Sequence, residues 1–151
     1  MLEVERPADM AAHVGKPIGT SEWFTVDQSR IDQFAEATGD HQWIHVDVER
    51  ARREMPGGKT IAHGYLTLSL LPVLSHAIYR IRNRSRALNY GSNRVRFTAP
   101  VPAGSRVRLS QALKAVEPIE GGVRLIMECT VEVEGKDKPA LVAETVSLVY
   151  D

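Results

Sequence analysis

The C-terminal half of the chain alternates between apolar and polar residues with a period of two. Between Val123 and Val133 every odd-numbered residue is apolar, and every even-numbered residue except Ile126 is polar. This pattern is typical of a strand with one buried face. Strands are also predicted at Ser21–Val26, Asn89–Thr98, Ser105–Val116 and Ala140–Tyr150.

Glycine and proline mark the connections between the last four of these strands, at Pro100–Gly104, Glu117–Gly122 and Gly135–Pro139. Such residues favour tight turns, so the sequence predicts an antiparallel meander.

The N-terminal half has helical spacing. Thr25 and Gln28 have the spacing of a capping box, which predicts a helix that begins between them. Gly39 is predicted to end that helix, because glycine adopts the left-handed conformation of a helix terminus at little cost. Asp47 is the predicted cap of a second short helix at Val48–Met55.

A third helix is predicted at Gly64–Arg82, and it is apolar on most sides. Such a helix belongs in the core, with other elements around it. Pro72 predicts a kink. The arginines at the end of this helix suit the negative pole of the helix dipole: Arg80, Arg82, Arg84 and Arg86.

Helices that precede an antiparallel sheet indicate the α+β class. The chain contains no internal repeat, and we expect one domain over residues 1–151. One buried helix and a curved sheet predict that the sheet wraps around the helix.

The cysteine content and the distribution of apolar residues indicate the cellular compartment of the protein. The chain has one cysteine, Cys129, which excludes an internal disulfide. The N-terminal residues are acidic and lack an apolar run, so we expect no signal peptide. No apolar stretch is long enough for a membrane span. We therefore expect a cytoplasmic protein that has no membrane partner.

The net charge of zero conceals an uneven distribution of charges. Met55–Val116 contains ten lysine and arginine residues and no acid, while the flanking segments hold all nineteen acids. This pattern indicates an anionic partner for the middle segment. Solvated strand and helix faces are the alternative explanation. Nucleic acid is disfavoured, because no aromatic residues interleave the arginines between residues 80 and 86.

Asp40 and His45 are the candidate catalytic residues. A carboxylate and an imidazole five residues apart on one loop can hold a water molecule, one group taking a proton and the other giving one. Histidine suits this role because its ordinary pKa, about 6.5, is close to neutral pH. The alternatives are a turn-forming aspartate and a structural histidine.

Gly64 begins the predicted core helix and is the candidate oxyanion-binding residue. Unpaired N–H groups at a helix start bind developing negative charge, and glycine permits close approach of a ligand. The alternative is that Gly64 only allows tight packing against a strand.

Other chemistry is disfavoured. His41 and His45 have the spacing of a metal pair, with Asp47 and His63 as possible further ligands, but helix through His41 is not expected directly after Gly39. We therefore predict no metal site. The Gly58-Lys59-Thr60 segment lacks the earlier glycine of a P-loop.

The segment Phe34–Ala51 resembles the hydratase-2 motif of (R)-specific enoyl-CoA hydratases, which are MaoC-like dehydratases with the hot-dog fold. It contains Thr38-Gly39-Asp40 and Ile44-His45, with Ala51 at the expected distance. The segments Ile61–Gly64 and Asn89–Val101 are also similar to that family.

This resemblance implies a hot-dog fold, in which an antiparallel sheet wraps around a long central helix, and a homodimer. The implied reaction is reversible hydration of trans-2-enoyl-CoA to (R)-3-hydroxyacyl-CoA, a reaction of fatty acid metabolism. Coenzyme A is part of the substrate, so no separate cofactor is expected. Asp40 is then the base, His45 orients the water and supplies a proton, and the Gly64 N–H holds the thioester oxygen; the reverse division of the two roles stays open.

The sequence departs from the family at Gln42-Trp43, where asparagine and proline are usual. Substrate binding is predicted for Gln42, Trp43, His63, Tyr65, Ser69 and Asn93, and the last two are candidates to support the catalytic pair. Arg94 and Arg96 share a strand face and are candidate phosphate contacts.

Two other functions are considered. A hot-dog acyl-CoA thioesterase usually has an acidic residue by the central helix, and the segment Gly64–Ile78 has none. A non-catalytic subunit that binds acyl thioesters has no need of both Asp40 and His45.

Overall fold

A computed structural model describes all 151 residues, which form eight strands and five α-helices. The strands are β1 (Leu2–Val4), β2 (Lys16–Thr20), β3 (Phe24–Val26), β4 (Tyr79–Ile81), β5 (Arg86–Phe97), β6 (Ser105–Ile119), β7 (Gly122–Val133) and β8 (Leu141–Tyr150). The helices are α1 (Gln28–Thr38), α2 (Trp43–Val46), α3 (Val48–Glu54), α4 (Gly64–Ser69) and α5 (Leu71–Ser75). Two 3-10 turns lie at Pro7–His13 and Pro56–Gly58.

The main sheet is antiparallel and has six strands in the order β2-β6-β7-β8-β5, with β3 also paired to β6. All four C-terminal strands are therefore confirmed, but the predicted meander is wrong for β5, which pairs with β8 and not with β6. The connection after β5 forms its hydrogen bonds elsewhere: the Ala62 N–H donates to the Val101 carbonyl, and the Ala103 N–H donates to the Thr60 carbonyl. It therefore crosses beside the start of α4 instead of forming a hairpin.

The core lies between one face of this sheet and helices α4 and α5. In β7 all the odd-numbered residues from Val123 to Val133 are buried, as their alternation predicted. The neighbouring strand β6 contributes Val107, Leu109 and Leu113 to the same core. Helix α5 contacts β6, and α4 contacts β8. The α+β class and the sheet around a helix are confirmed.

The predicted helix Gly64–Arg82 is too long. Helical structure ends at Ser75, and Tyr79–Ile81 forms β4, which pairs in parallel with β1. As a strand, this segment buries Ile81 and gives backbone partners to β1. The arginines after residue 79 therefore do not lie at a helix end, and Arg82 pairs with Glu3 and Glu5 instead.

The central helix also differs in detail from the prediction. Leu70 joins α4 to α5 with helical torsion angles (φ −79°, ψ −14°), so the two helices follow one another closely. Pro72 lies in the first turn of α5, where proline removes no helical hydrogen bond. The helix is not buried on all sides, since Tyr65 is 70% exposed.

The first helix begins at Gln28, and its cap is Asp27, whose carboxylate accepts the Arg30 N–H at 2.9 Å. The capping box predicted from Thr25 and Gln28 is therefore wrong. Gly39 ends the helix with φ 79°, as predicted.

Asp47 caps α3, as predicted, and that helix ends at Glu54, one residue before the predicted end. The predicted strand Ser21–Val26 is shorter than expected, and the prediction missed β1, β2 and α2. None of the helices combines the length and the apolar character that crossing a bilayer requires.

Candidate active site

Asp40 and His45 lie on opposite sides of a short turn between α1 and α2. The left-handed Gly39 turns the chain sharply, and the Asp40 carboxylate accepts the Gln42 N–H at 3.3 Å. His45 lies within α2 and is 7% exposed, whereas Asp40 is exposed. A carboxylate oxygen of Asp40 and ring nitrogens of His45 and His63 all lie within 4.8 Å of one another. The fold therefore brings the two predicted residues together.

The backbone fixes the tautomer of His45. Its Nδ1 lies 2.7 Å from the Ile61 carbonyl oxygen. A carbonyl can only accept, so Nδ1 carries the hydrogen and Nε2 of the neutral ring keeps a lone pair. Nε2 can therefore accept a proton from water.

The environment also favours the neutral form of His45. Burial is the largest effect and lowers the pKa of the imidazole below its ordinary value of 6.5. The hydrogen bond to Ile61 opposes this shift, the proximity of His63 adds to it, and the Asp40 carboxylate opposes it. The net pKa is lowered, so the ring is an unprotonated base at neutral pH.

A residue that the sequence did not identify holds the backbone of His45. The Gln28 side chain donates to the His45 carbonyl at 2.8 Å and accepts a hydrogen bond from the Thr60 hydroxyl. Gln28 was assigned to a capping box, and nothing local in the sequence connects it with a residue seventeen positions away.

His63 is a deeply buried polar residue of the site, with 3% exposure. Its Nε2 lies 3.0 Å from the Asp40 carbonyl oxygen. Its ring stacks on His45 with centroids 3.8 Å apart and an interplanar angle of 24°. The Phe34 ring lies on it at 4.9 Å. Nδ1 of His63 is buried without a hydrogen-bond partner.

Gly64 begins α4 directly beside the two histidines. The N–H groups of Gly64 and Tyr65 find no acceptor within the protein. A Cβ atom at Gly64 would lie 3.0–3.1 Å from the Phe97 ring, so the position also needs glycine for packing. Gly64 can therefore both allow close packing against Phe97 and leave its N–H free to bind an oxyanion.

His45 and Gly64 open onto the same cavity, which has a volume of about 260 Å³. Most of the other lining residues are apolar, and Phe97 forms one wall. Thr67, one turn into the helix, is buried and contributes the only hydroxyl group to this lining. The sequence analysis did not identify Thr67, although its position three residues after Gly64 places it on the same helix face.

The other predicted contacts are more distant from the pair. The Ser69 hydroxyl donates to the Tyr65 carbonyl at 2.7 Å, and the Asn93 amide donates to Glu144 at 2.8 Å. Neither Ser69 nor Asn93 forms a hydrogen bond with Asp40 or His45, so the structure gives no support to their predicted role beside the pair.

Gln42, Trp43 and Tyr65 are not among the residues that line the cavity at His45. Gln42 is exposed and contacts Asp40 through its backbone. The guanidinium of Arg50 lies 4.0 Å over the Trp43 ring. Tyr65 packs edge-on against Phe97, with ring centroids 5.8 Å apart.

His41, which the sequence analysis considered and disfavoured as a metal ligand with His45, is not part of the cluster of His45, His63 and Asp40. His41 lies 3.6 Å from Glu36, and Asp47 caps α3. One potential ligand atom from each of Asp40, His45 and His63 lies within 4.8 Å of the others, and the two imidazole rings are stacked with 24° between their planes.

A second, larger groove of about 730 Å³ lies between α4–α5 and strands β5 and β8. Ser69 lines it, as do Arg84 and Arg86. Acidic residues from the flanking segments pair with four basic residues of the middle segment: Arg82, Arg106, Arg108 and Lys114. Part of the uneven charge distribution is therefore explained within the chain, but Arg84 and Arg86 have no carboxylate partner.

The chain is similar to proteins of a known family. The family profile described as a MaoC like domain matches residues 9–135. The chain belongs to the MaoC-like dehydratase family. It is 52% identical over 147 residues to 3-hydroxyacyl-thioester dehydratase Z of Mycobacterium tuberculosis (strain CDC 1551 / Oshkosh), with 97% of each chain covered. It is also 48% identical to nodulation protein N of Rhizobium leguminosarum bv. viciae, covering 94% of this chain and 89% of that protein.

Among solved structures, the chain is similar to R-hydratase PhaJ1 from Pseudomonas aeruginosa in the unliganded form. The TM-score is 0.73 at 20% identity, with 91% of this chain and 82% of that chain covered. This MaoC-like protein therefore has the hot-dog fold that the resemblance implied. It is an enzyme of the hydratase and dehydratase class, a carbon–oxygen lyase.

Proposed function

We propose that this MaoC-like enzyme hydrates trans-2-enoyl thioesters to (R)-3-hydroxyacyl thioesters, reversibly, with one water held between Asp40 and His45. The observation that carries the proposal is that His45 and the start of α4 open onto one cavity with mainly apolar walls. Such a cavity suits an acyl chain, and its few polar groups are a base, a helix N-terminus and the Thr67 hydroxyl. The name of the 3-hydroxyacyl-thioester dehydratase relative supports the same substrate class.

The tautomer of His45 supports a different division of roles from the one that the family resemblance suggested, in which His45 acts first as the base and then as the acid. Nε2 takes a proton from the water while the water oxygen bonds to C3 of the enoyl group. The imidazolium that forms is stabilised by the Asp40 carboxylate and by the Ile61 carbonyl. His45 then gives a proton to C2, which completes the addition of one water molecule.

Electrons move onto the thioester oxygen in the same step, so that oxygen needs a donor. The N–H of Gly64 has no other acceptor and lies at the cavity. A donor placed in advance at the developing oxyanion lowers the barrier, typically by about 3–4 kcal/mol.

The test is the loss of conjugated enoyl-thioester absorbance when purified protein is mixed with crotonyl-CoA. Asp40→Asn and His45→Gln should each lower kcat by at least about 100-fold, because general acid–base groups contribute factors of this order. His41→Gln is the matched control and should keep wild-type activity, since His41 pairs with Glu36 outside the cavity. Full activity of either catalytic variant would contradict the assignment. Release of free CoA thiol without hydration would indicate a thioesterase instead.

We also propose that the thioester carrier is coenzyme A and that arginines without carboxylate partners bind its phosphates. Arg84 and Arg86 line the larger groove, and they join Arg94 and Arg96 as candidates. Contacts of this kind are charge-assisted and weaken with salt. KM for crotonyl-CoA should therefore rise when the salt concentration is raised from about 50 to about 300 mM, which shortens the Debye length about twofold. The rise should be smaller in Arg84→Gln/Arg86→Gln than in wild type. A KM that does not depend on salt would contradict this proposal.

We also propose a homodimer, because strand β5 has a free edge. This edge strand pairs with β8 on one side only, and its apolar residues Leu88 and Tyr90 are 48% and 63% exposed. Long edge strands with apolar side chains require a cover, and a second copy can supply it.

Leu88→Asp should convert a dimer into monomers in sedimentation analysis. Val48→Asp is the matched control, because Val48 is similarly exposed at 46% but lies in the first turn of α3. A wild-type monomer at micromolar concentration would contradict the proposed dimer.

A further inference from the structure

The candidate site contains a second deeply buried imidazole, and its position is costly. His63 is 3% exposed and leaves Nδ1 without a hydrogen-bond partner. A buried polar atom without a partner destabilises the folded state, whereas an apolar side chain of similar size at this position would avoid the cost. Packing alone therefore does not explain a histidine here, and the contacts of its other ring atoms need an account.

One contact is with the backbone of Asp40. Because a carbonyl only accepts, Nε2 of His63 carries the hydrogen and donates to Asp40 at 3.0 Å. The other hydrogen bonds of Asp40 are with Thr38 and Gln42, each two residues away, at 3.4 and 3.3 Å. The bond from His63 is thus the only one that ties Asp40 to another part of the chain.

The second contact is with the ring of His45. The hydrogen bond to Ile61 holds the Nδ1 edge of that ring. Stacking on His63 at 3.8 Å, with 24° between the planes, is a second constraint on the ring, and the two together restrict the direction of its Nε2 lone pair. Phe34 supports His63 from a second side at 4.9 Å.

His63 does not line the 260 Å³ cavity, although its neighbours Ala62 and Gly64 do. We propose that His63 is a positioning residue, which fixes both Asp40 and His45 relative to the same water and does not touch the substrate. This inference rests on the proposed function of that pair. It replaces the sequence-based expectation that His63 binds substrate.

Two substitutions separate the hydrogen bond from the shape of the side chain. The amide nitrogen of glutamine can reach the position of the imidazole Nε2, so His63→Gln keeps a donor for the Asp40 carbonyl. His63→Leu fills a similar volume and has no donor. Displacement of catalytic groups by about 1 Å can cost about 100-fold in rate. We therefore expect kcat for crotonyl-CoA to fall by about 10- to 100-fold in His63→Leu and by no more than about fivefold in His63→Gln.

The separate values of kcat and KM distinguish positioning from substrate contact. A positioning residue changes kcat, so KM should stay within about threefold in both variants. A KM that rises about tenfold at unchanged kcat would overturn the proposal in favour of substrate binding. Wild-type kcat in His63→Leu would overturn it outright. His13→Leu, which removes an imidazole outside both cavities, is the control and should match wild type.

A structural measurement on the folded protein separates this inference from the proposed function. Amide hydrogen exchange at residues 40–42 should be about tenfold faster in His63→Leu than in wild type and unchanged in His63→Gln. If wild type does not act on enoyl thioesters, the proposed function fails, and the exchange result still decides whether His63 holds the Asp40 turn. Equal exchange in wild type and His63→Leu would overturn the positioning role. Comparison of the thermal unfolding of all variants identifies any that are not folded.

Discussion

The three-stranded block β6–β7–β8 and the segment from α1 to the start of α4 differ in the kind of residue that they bury. In the block, the inward residues are buried and, apart from Gln111, apolar, and long hairpin ladders pair the backbone. In the α1–α4 segment, three of the helices have seven residues or fewer, and four of the six buried polar residues of the chain lie there: His45, Thr60, His63 and Thr67. The sheet therefore supplies stability, and the burial of polar groups in the irregular segment costs part of that stability.

The largest predicted effect on stability concerns the sheet. Leu125 on β7 is fully buried, so Leu125→Ala removes apolar contacts and leaves a cavity. We expect the free energy of unfolding to fall by about 2–5 kcal/mol, measured by urea denaturation. Activity per folded molecule should not change, because Leu125 does not line the cavity at His45. A large loss of kcat in fully folded Leu125→Ala would break the division between the two regions.

A smaller effect is expected at Gly64, where the irregular segment packs against the end of β5. The Cβ of Gly64→Ala would meet the Phe97 ring at 3.0–3.1 Å, so the ring must move. Overpacking of this kind costs about 1–3 kcal/mol of stability. Phe97→Leu in the same chain should recover most of that loss in thermal unfolding. Stability equal to wild type in Gly64→Ala alone would mean that the contact is not a constraint.

A still smaller effect is expected at the N-terminal caps of α1 and α3, two helices of the irregular segment. Asp27→Ala and Asp47→Ala each remove a carboxylate that accepts a first-turn N–H. Each should lower the free energy of unfolding by about 1 kcal/mol in urea denaturation. If Asp27→Ala has no effect, the cap assigned to α1 is wrong.

The smallest effect is on pH dependence. The pKa of His45 is lower in the folded protein than its ordinary value of 6.5, mainly because of burial. The unfolded chain therefore binds the proton more readily, so this contribution to stability is complete above pH 6.5 and decreases as the pH falls below it. His45→Gln should lose this part of the pH dependence. The acidic limb of kcat/KM in wild type should also lie below pH 6.5, and a limb above that value would contradict the pKa direction.

Regular alternation made the sheet predictable. The odd-numbered residues of β7 could be assigned to the core directly, because a period of two has one structural meaning. The segment Ile78–Ile81 was wrongly assigned to the helix Gly64–Arg82, since a short and mainly apolar segment fits the end of a helix as well as a strand. It became a strand because β1 is available as a partner, and this depends on residues more than seventy positions away.

The candidate site was predictable only where its residues are close in sequence. Asp40 and His45 share one turn, so their spacing and the family motif indicated them together. His63 and Gln28 reach the same place from distant elements, through a hydrogen bond to a carbonyl and a ring stack. Carbonyl partners leave no trace in side-chain identity, which is why both roles were missed.

Phe97 belongs to two surfaces at once. It is the last residue of the edge strand β5, is 46% exposed, and forms a wall of the cavity that His45 and Gly64 share. A chain that adds to the free edge of this strand along its whole length would end beside that wall. Catalytic rate and self-association should then vary together on dilution, so that specific activity itself reports how many subunits are joined.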